Sequence, residues 1–334
     1  MKKIEFKSML VSIILVLIIY YFYTPALNIH AIEFWIFIIV ALCIYGASTS
    51  YSTLLGKKFK PEKVGYLGAA VALIVAGVLV TDLFTSKIFH ASRYASRIEV
   101  ENVKFNNKTL HEVDFSKTPI IDRKSTVKLG DKVMGEIPEY VSQFEVSDDY
   151  TQISYKNSVY RVTPLEYASF FKYLTNSKNG IPAYITVNST NGKAEIVKLK
   201  DLGLNGMKYV PSAILNHNLN RKLQLSYPTS IFGSPSFEVD EKGHPWYVCT
   251  TYTYFGVSNK KKVTGAVLFD PITGKSKKYD KDKVPKWVDR VYPEELIMTE
   301  IDENGSLQDG FFNSVLGQKN VTVTSEGYNY SLSL

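Results

Sequence analysis

GAVLFDPITGKSKKYD, residues 265–280, is an apolar run, a short turn and a lysine-rich run. Asp270 starts the turn and Gly274 ends it. An Asp side chain can accept backbone N–H groups two or three residues on, and Gly supplies the positive φ needed to re-enter a strand. The stretch reads as an antiparallel hairpin. It has a counterpart in AYITVNSTNGKAEIVKL, 183–199, where Asn188 and Gly192 stand at the same spacing. Two hairpins on one turn pattern read as an internal repeat of a strand–turn–strand unit. With Asn in one copy and Asp in the other, the turn reads as scaffold, because a carboxylate needed for proton transfer could not be Asn.

Outward from these hairpins the pattern is mixed α and β. Residues 143–162 alternate through Phe144, Val146, Ile153, Tyr155, Val159, Tyr160 and Val162, with turn signals at Asp148-Asp149 and Lys156-Asn157. Residues 245–257 alternate too, placing Trp246, Val248, Thr250, Tyr252 and Tyr254 on one face. Thr163-Pro164-Leu165-Glu166 carries the signals of a capped helix start, predicting a helix to about Leu174. Val284–Pro293 predicts a short helix with an aromatic face, and Glu294-Glu295 reads as a helix N-terminal charge. The expected units are 119–206 and 207–334, reached through a stalk at 87–118 with a helix near Ile88–Arg97 and a strand near Ile98–Phe105.

The first 86 residues differ in kind. Met9–Tyr23, Phe34–Ser48 and Val64–Val80 contain no charged residue, and with their flanks they predict spans at about 8–25, 31–48 and 64–84. Tyr20, Tyr21, Tyr23 and Trp35 sit near the ends, as an aromatic belt would. MKKIEFK also suits a signal peptide's basic start, but the apolar run is long, lacks a small-x-small exit and is soon followed by another. Lys2, Lys3 and Lys7 precede the first run, and Lys57, Lys58, Lys60 and Lys63 precede the third, whereas Thr24–Glu33 has no Lys or Arg. The positive-inside rule then predicts a multi-pass plasma-membrane protein with a cytoplasmic N-terminus and an extracytoplasmic C-terminal domain. The fold class expected is an N-terminal three-helix transmembrane region followed by an extracytoplasmic α+β domain with antiparallel hairpins and two related repeats. Gly65, Gly68, Ala69, Ala72, Ala76 and Gly77 suit close helix packing within the chain or a homodimer through the third span.

The net charge of +7 suits an anionic surface such as a bilayer or an acidic wall polymer. The 39 Lys and Arg are scattered, which argues against nucleic acid as partner. Cys43 lies in an apolar run and Cys249 far downstream, so no disulfide framework is expected. The five His lack metal-ligand spacing, and no nucleophile elbow, phosphate loop or dinucleotide motif is present. Cys249 and His244 would face opposite sides of a strand. No catalytic, cofactor-binding or metal residues are therefore assigned, and no cofactor. Trp246, Trp287 and the tyrosines read as core; their alternative is an exposed aromatic groove, in which Trp246, Tyr252, Tyr254, Trp287 and Arg290 are the candidate partner-binding residues.

Four stretches carry a likeness: YRVTPLEYASFFKYLTNSKNGIPAYITVN (160–188), LQLSYPTSIF (223–232), VPKWVDRVYPEELI (284–297) and DGFFNSVLGQKNVTVTSEGYNY (309–330). Over roughly 115–330 they resemble a family of uncharacterised membrane-anchored envelope proteins of low-GC Gram-positive bacteria. The resemblance implies no activity and no catalytic residues. It implies a longer chain than one ending at Leu334, soon after Tyr328-Asn329-Tyr330. LFDPITGKSKKYD is similar to the hairpins of PepSY-type envelope modules, which are linked to binding and restraining peptidases.

Three functions are compatible with these features. The first is a non-enzymatic envelope protein that binds a protein or wall partner. The second is an envelope hydrolase acting on peptide or wall polymer, which a cleft joining two or more of Glu238, Asp240, Asp289 and Glu294 would favour. The third is a membrane assembly or transport accessory, which the scarcity of ionisable residues in the apolar runs argues against.

Overall fold

The computed structural model describes residues 2–54, 61–101, 103–104, 106 and 118–325. Helices α1 (Lys2–Tyr23), α2 (Ile32–Leu54) and α3 (Pro61–Phe84) come first, α1 packing on α2 and α2 on α3. Ile32–Ser50 and Val64–Phe84 are long and apolar enough to cross a membrane; the apolar part of α1, Met9–Tyr23, is shorter. Many of their apolar side chains, among them Leu17, Leu73 and Leu79, stand exposed. A water-facing surface rarely carries such a continuous apolar area. Lys57, Lys58 and Lys60, and the side chains of Lys2, Lys3, Lys7 and Lys63, lie outside the described residues, as do 326–334.

The α+β domain holds two antiparallel five-stranded sheets. In the first, β1 (Phe144–Val146) and β2 (Thr151–Tyr155) pair with opposite halves of the long β3 (Ser158–Tyr167), followed by β4 (Ala183–Asn188) and β5 (Ala194–Lys198). In the second, β6 (Ile231–Phe232) and β7 (Ser236–Val239) pair with opposite halves of β8 (Pro245–Phe255), followed by β9 (Asn259–Phe269) and β10 (Ser276–Asp280). The strand order is the same in both. Each sheet follows a helix, α5 (Arg123–Gly135, with the one-turn α6, Pro138–Val141, after it) and α8 (Leu219–Ser226), α5 and α8 being capped by Asp122 and Asn218 respectively. The two sheets share one core: Val162, Leu165 and Ile185 from the first join Phe237, Cys249 and Phe269 from the second. Tyr184 seals the contact by donating to the Gly243 carbonyl at 2.9 Å.

The two hairpin turns match the sequence expectation. Asn188 Oδ1 accepts from the Thr190 and Asn191 amides, and Asp270 Oδ1 from those of Ile272 and Thr273. Gly192 and Gly274 have φ of 75° and 72°. The matching extends to the environment. The Ser189 carbonyl accepts the Ile120 and Ile121 amides ahead of α5, and the Pro271 carbonyl accepts those of Lys208 and Tyr209 ahead of α8.

Three expectations are corrected. No helix opens at Thr163: β3 runs on to Tyr167, and Ser169 caps a later helix, α7 (Phe170–Asn176). Pro164, with no N–H to give, sits where β3 exchanges β2 for β1 as its neighbour, so its missing donor interrupts neither ladder. Val284–Pro293 is irregular, and the helix there, α9, spans Glu294–Leu307 with the two glutamates in its first turn. The helix expected near Ile88–Arg97 is present as α4 (Lys87–Ala95), which lies on α9, burying Tyr94 and Ala95 with Leu307. The described residues of 98–105 form no strand.

Candidate functional site

The five residues singled out for partner binding fall in two clusters. Tyr252 is buried, and Tyr254 half-buried, against Ala26 and Ala31 of the α1–α2 connection, Val263 and Leu296. Trp246 and Trp287 are half-buried over Val248, Ala266, Leu268 and Val288, with ring centroids 6.1 Å apart. Arg290 sits at the edge of the second cluster and donates its backbone N–H to Glu238.

Glu238, one of the acids that a hydrolase cleft would have to join, is instead a buried acceptor. It stands on β7 with 0% exposure and accepts the Asp289 and Arg290 amides at 2.9 and 3.1 Å. Burial pushes its carboxyl up to about 7, against the pull of those amides. Asp289 in turn accepts the Ser154 amide at 2.6 Å. The two side chains thus hold one loop, Glu238 by accepting its amides and Asp289 by reaching from it to Ser154. They tie residues 284–291 across both sheets, beside a cleft of about 250 Å³ lined by Ser154, Lys156, Glu241, Trp287 and Asp289. Asp240 caps its own turn through the Lys242 and His244 amides. The His244 ring lies tilted against Trp246, centroids 5.0 Å apart, and its Nε2 lies 3.5 Å from Asp270 Oδ1, without the alignment of a hydrogen bond. Cys249 points to the opposite face, into the shared core, where burial pushes its thiol up. This pair is not a thiol–imidazole site.

The second feature is the joint between the helices and the domain. The Leu27 amide donates to the Pro228 carbonyl at 2.7 Å, and Asn28 Nδ2 to Thr229 O at 2.9 Å. Arg221 Nε donates to Tyr21 O at 2.7 Å, and its guanidinium lies 4.7 Å from the Tyr21 ring centre. At the end of α3, Asp82 accepts the Val257 amide at 3.1 Å, while Asn259 donates to Asp82 O and to Thr85 Oγ1. The α1–α2 connection and the end of α3 therefore meet the same domain.

Beside that joint is a cavity of about 590 Å³ between α4, α9 and the β8–β9 hairpin. Its polar wall holds Ser86, Lys87, Arg97, Lys260 and Lys261, with Glu295 and Glu303. Tyr252, Leu296 and Phe311 give it an apolar wall. Arg97 is nearly buried, donating to Glu303 at 3.0 Å, to Glu300 at 2.6 Å and to the Lys261 carbonyl. Lys87 reaches Glu303 at 2.9 Å. Burial lowers the pKa of Lys260 and of Lys261, and for Lys260 the neighbouring Arg97 and Arg93 add to the effect. Nothing local in the sequence announces this cluster, because Arg97 and Glu303 are 206 residues apart. The adjacent lysines at a hairpin tip were the one available signal. Among the described residues, no group of three His, Cys, Asp or Glu is placed to hold a metal.

Compared with protein-family models, curated proteins and solved structures, the chain shows no match.

Proposed function

We propose that this chain is a non-enzymatic, membrane-anchored protein of the cell envelope whose α+β domain stands outside the membrane and binds a protein or wall partner. The observation that carries the reading is the joint: the α1–α2 connection and the end of α3 are both hydrogen-bonded to the domain. The basic segments, Lys2–Lys7 and Lys57–Lys63, lie at the other ends of these helices in sequence, as the positive-inside rule requires of three spans. Glu238 and Asp289, two acids that a hydrolase could use, both hold backbone amides, which supports a structural role for them. The matched strand order and the paired carbonyls of Ser189 and Pro271 support descent of the two sheets from one duplicated unit. Partner capture is assigned to the Trp246–Trp287 ledge beside the small cleft, where half-buried aromatics adjoin Lys156, Lys286 and Glu241.

Two measurements test this. In a Cys43→Ser background, Asn191→Cys should react with an impermeant maleimide on intact cells, and Lys58→Cys only after lysis. The reverse pattern refutes the orientation. A photo-crosslinker at Lys286 should capture one reproducible envelope partner, lost on Trp287→Ala. Turnover abolished by Asp289→Asn would instead establish the hydrolase.

A further inference from the structure

The cavity beside α3 has the features of an anion site. Four cationic side chains, Lys87, Arg97, Lys260 and Lys261, line it against two carboxylates, Glu295 and Glu303. Glu303 is already engaged by Arg97 and Lys87. Lys260 and Lys261 have no carboxylate within ion-pair distance among the described residues: the first donates to the Arg93 carbonyl and the second lies 4.0 Å over the Tyr252 ring. Each ammonium is thus partly withdrawn from water with no carboxylate bonded to it, a cost that an anion in the cavity would offset. The first turn of α4 also opens here, and its N-cap Ser86 makes no side-chain capping bond. The Ser86 hydroxyl is buried and unpartnered among the described residues. A helix start offers free amides and positive potential, and an orphan hydroxyl at that start is an unused donor. Ser258 and Lys260, both lining residues, hold φ of 118° and 38°, values that L-residues rarely adopt.

The opposite wall is apolar: Tyr252, Leu296 and Phe311. A small inorganic anion would have no use for it. Ser86 is the second residue after Phe84, the last residue of α3, so on the membrane reading the cavity lies at headgroup level. We infer that this cavity binds an amphiphile whose phosphate headgroup carries a net negative charge, the phosphate held by Ser86, Lys260, Lys261 and the start of α4, and the hydrocarbon lying along Tyr252, Leu296 and Phe311. The inference rests on the proposed membrane anchorage. Phospholipid of the adjoining leaflet is the source to which it commits.

The test is native mass spectrometry of the full chain released from nanodiscs of phosphatidylglycerol or of phosphatidylcholine. Wild-type chain should retain phosphatidylglycerol and not phosphatidylcholine. Lys260→Gln/Lys261→Gln should lower retention about tenfold, the scale of losing one charge-assisted hydrogen bond. Ser86→Ala, which removes only a hydroxyl, should lower it about threefold with the melting temperature in lipid-free detergent unchanged. Equal retention of the two lipids, or equal retention by wild type and the lysine variant, overturns the site. Lysine-dependent binding of inorganic phosphate with no lipid retained overturns the lipid source. A chain that fails to enter nanodiscs yet binds inorganic phosphate refutes the membrane anchorage and leaves the anion site, so the two failures separate.

Discussion

Glu238 shows what a single buried carboxylate does to this fold. Two backbone amides of an irregular segment point at it, and its side chain is shut off from solvent. Its carboxyl is raised from an ordinary 4.5 to about 7, so the folded state binds a proton more tightly than the unfolded chain does. Its contribution to stability is therefore full below about pH 4.5 and is lost as pH rises through 7. Melting curves of the full chain in detergent should show this loss, and Glu238→Gln should remove it while costing about 1–3 kcal/mol for the amide left with no acceptor. A variant that keeps the wild-type slope between these pH values would assign it to another group. The sequence around Glu238 reads Glu-Val-Asp-Glu-Lys-Gly, which is turn-like. Only its long-range partners reveal the role, and no local pattern encodes them.

At the scale of elements, what was legible was what is local. The Asx–Gly turns depend on side chains bonding to their own backbone within three residues, so Asn188 and Asp270 could be read directly. The same locality misleads at Thr163-Pro164, where good helix-start chemistry is overridden by pairing of β3 with β1, β2 and β4. Trp246, Val248, Thr250 and Tyr252 do share a face, as alternation requires, but alternation could not say that two different segments cover it. Because Asn188 performs the job of Asp270, Asp270→Asn should cost under about 1 kcal/mol at neutral pH. Asp270→Ala, which strands the amides of Ile272 and Thr273, should cost about 1–3 kcal/mol. Parallel urea titrations of the two variants decide it, and equal losses would show that the charge of Asp270 matters beyond the turn.

At the scale of the whole molecule, apolar helices and polar domain were separable from composition alone, and their mutual attachment was not. Asp82 sits at the edge of an apolar run, where it reads as a boundary mark. In the fold it accepts the Val257 amide, and its own carbonyl accepts from Asn259. Asp82→Ala should speed hydrogen exchange at the Val257 amide about tenfold or more, with amides of β4 unchanged. Uniform acceleration across both sheets would mean that the residue supports global folding instead.

The joint has a mechanical consequence. Gly256, at φ of 82°, lies directly against Thr85, with no room for even a methyl group between them. No slack chain separates the last turn of α3 from the tip of the β8–β9 hairpin. A tilt of that helix is therefore a tilt of the hairpin, and a load applied to the α+β domain arrives at the helix as torque. The domain is held as a crank on its shaft, not as a float on a tether.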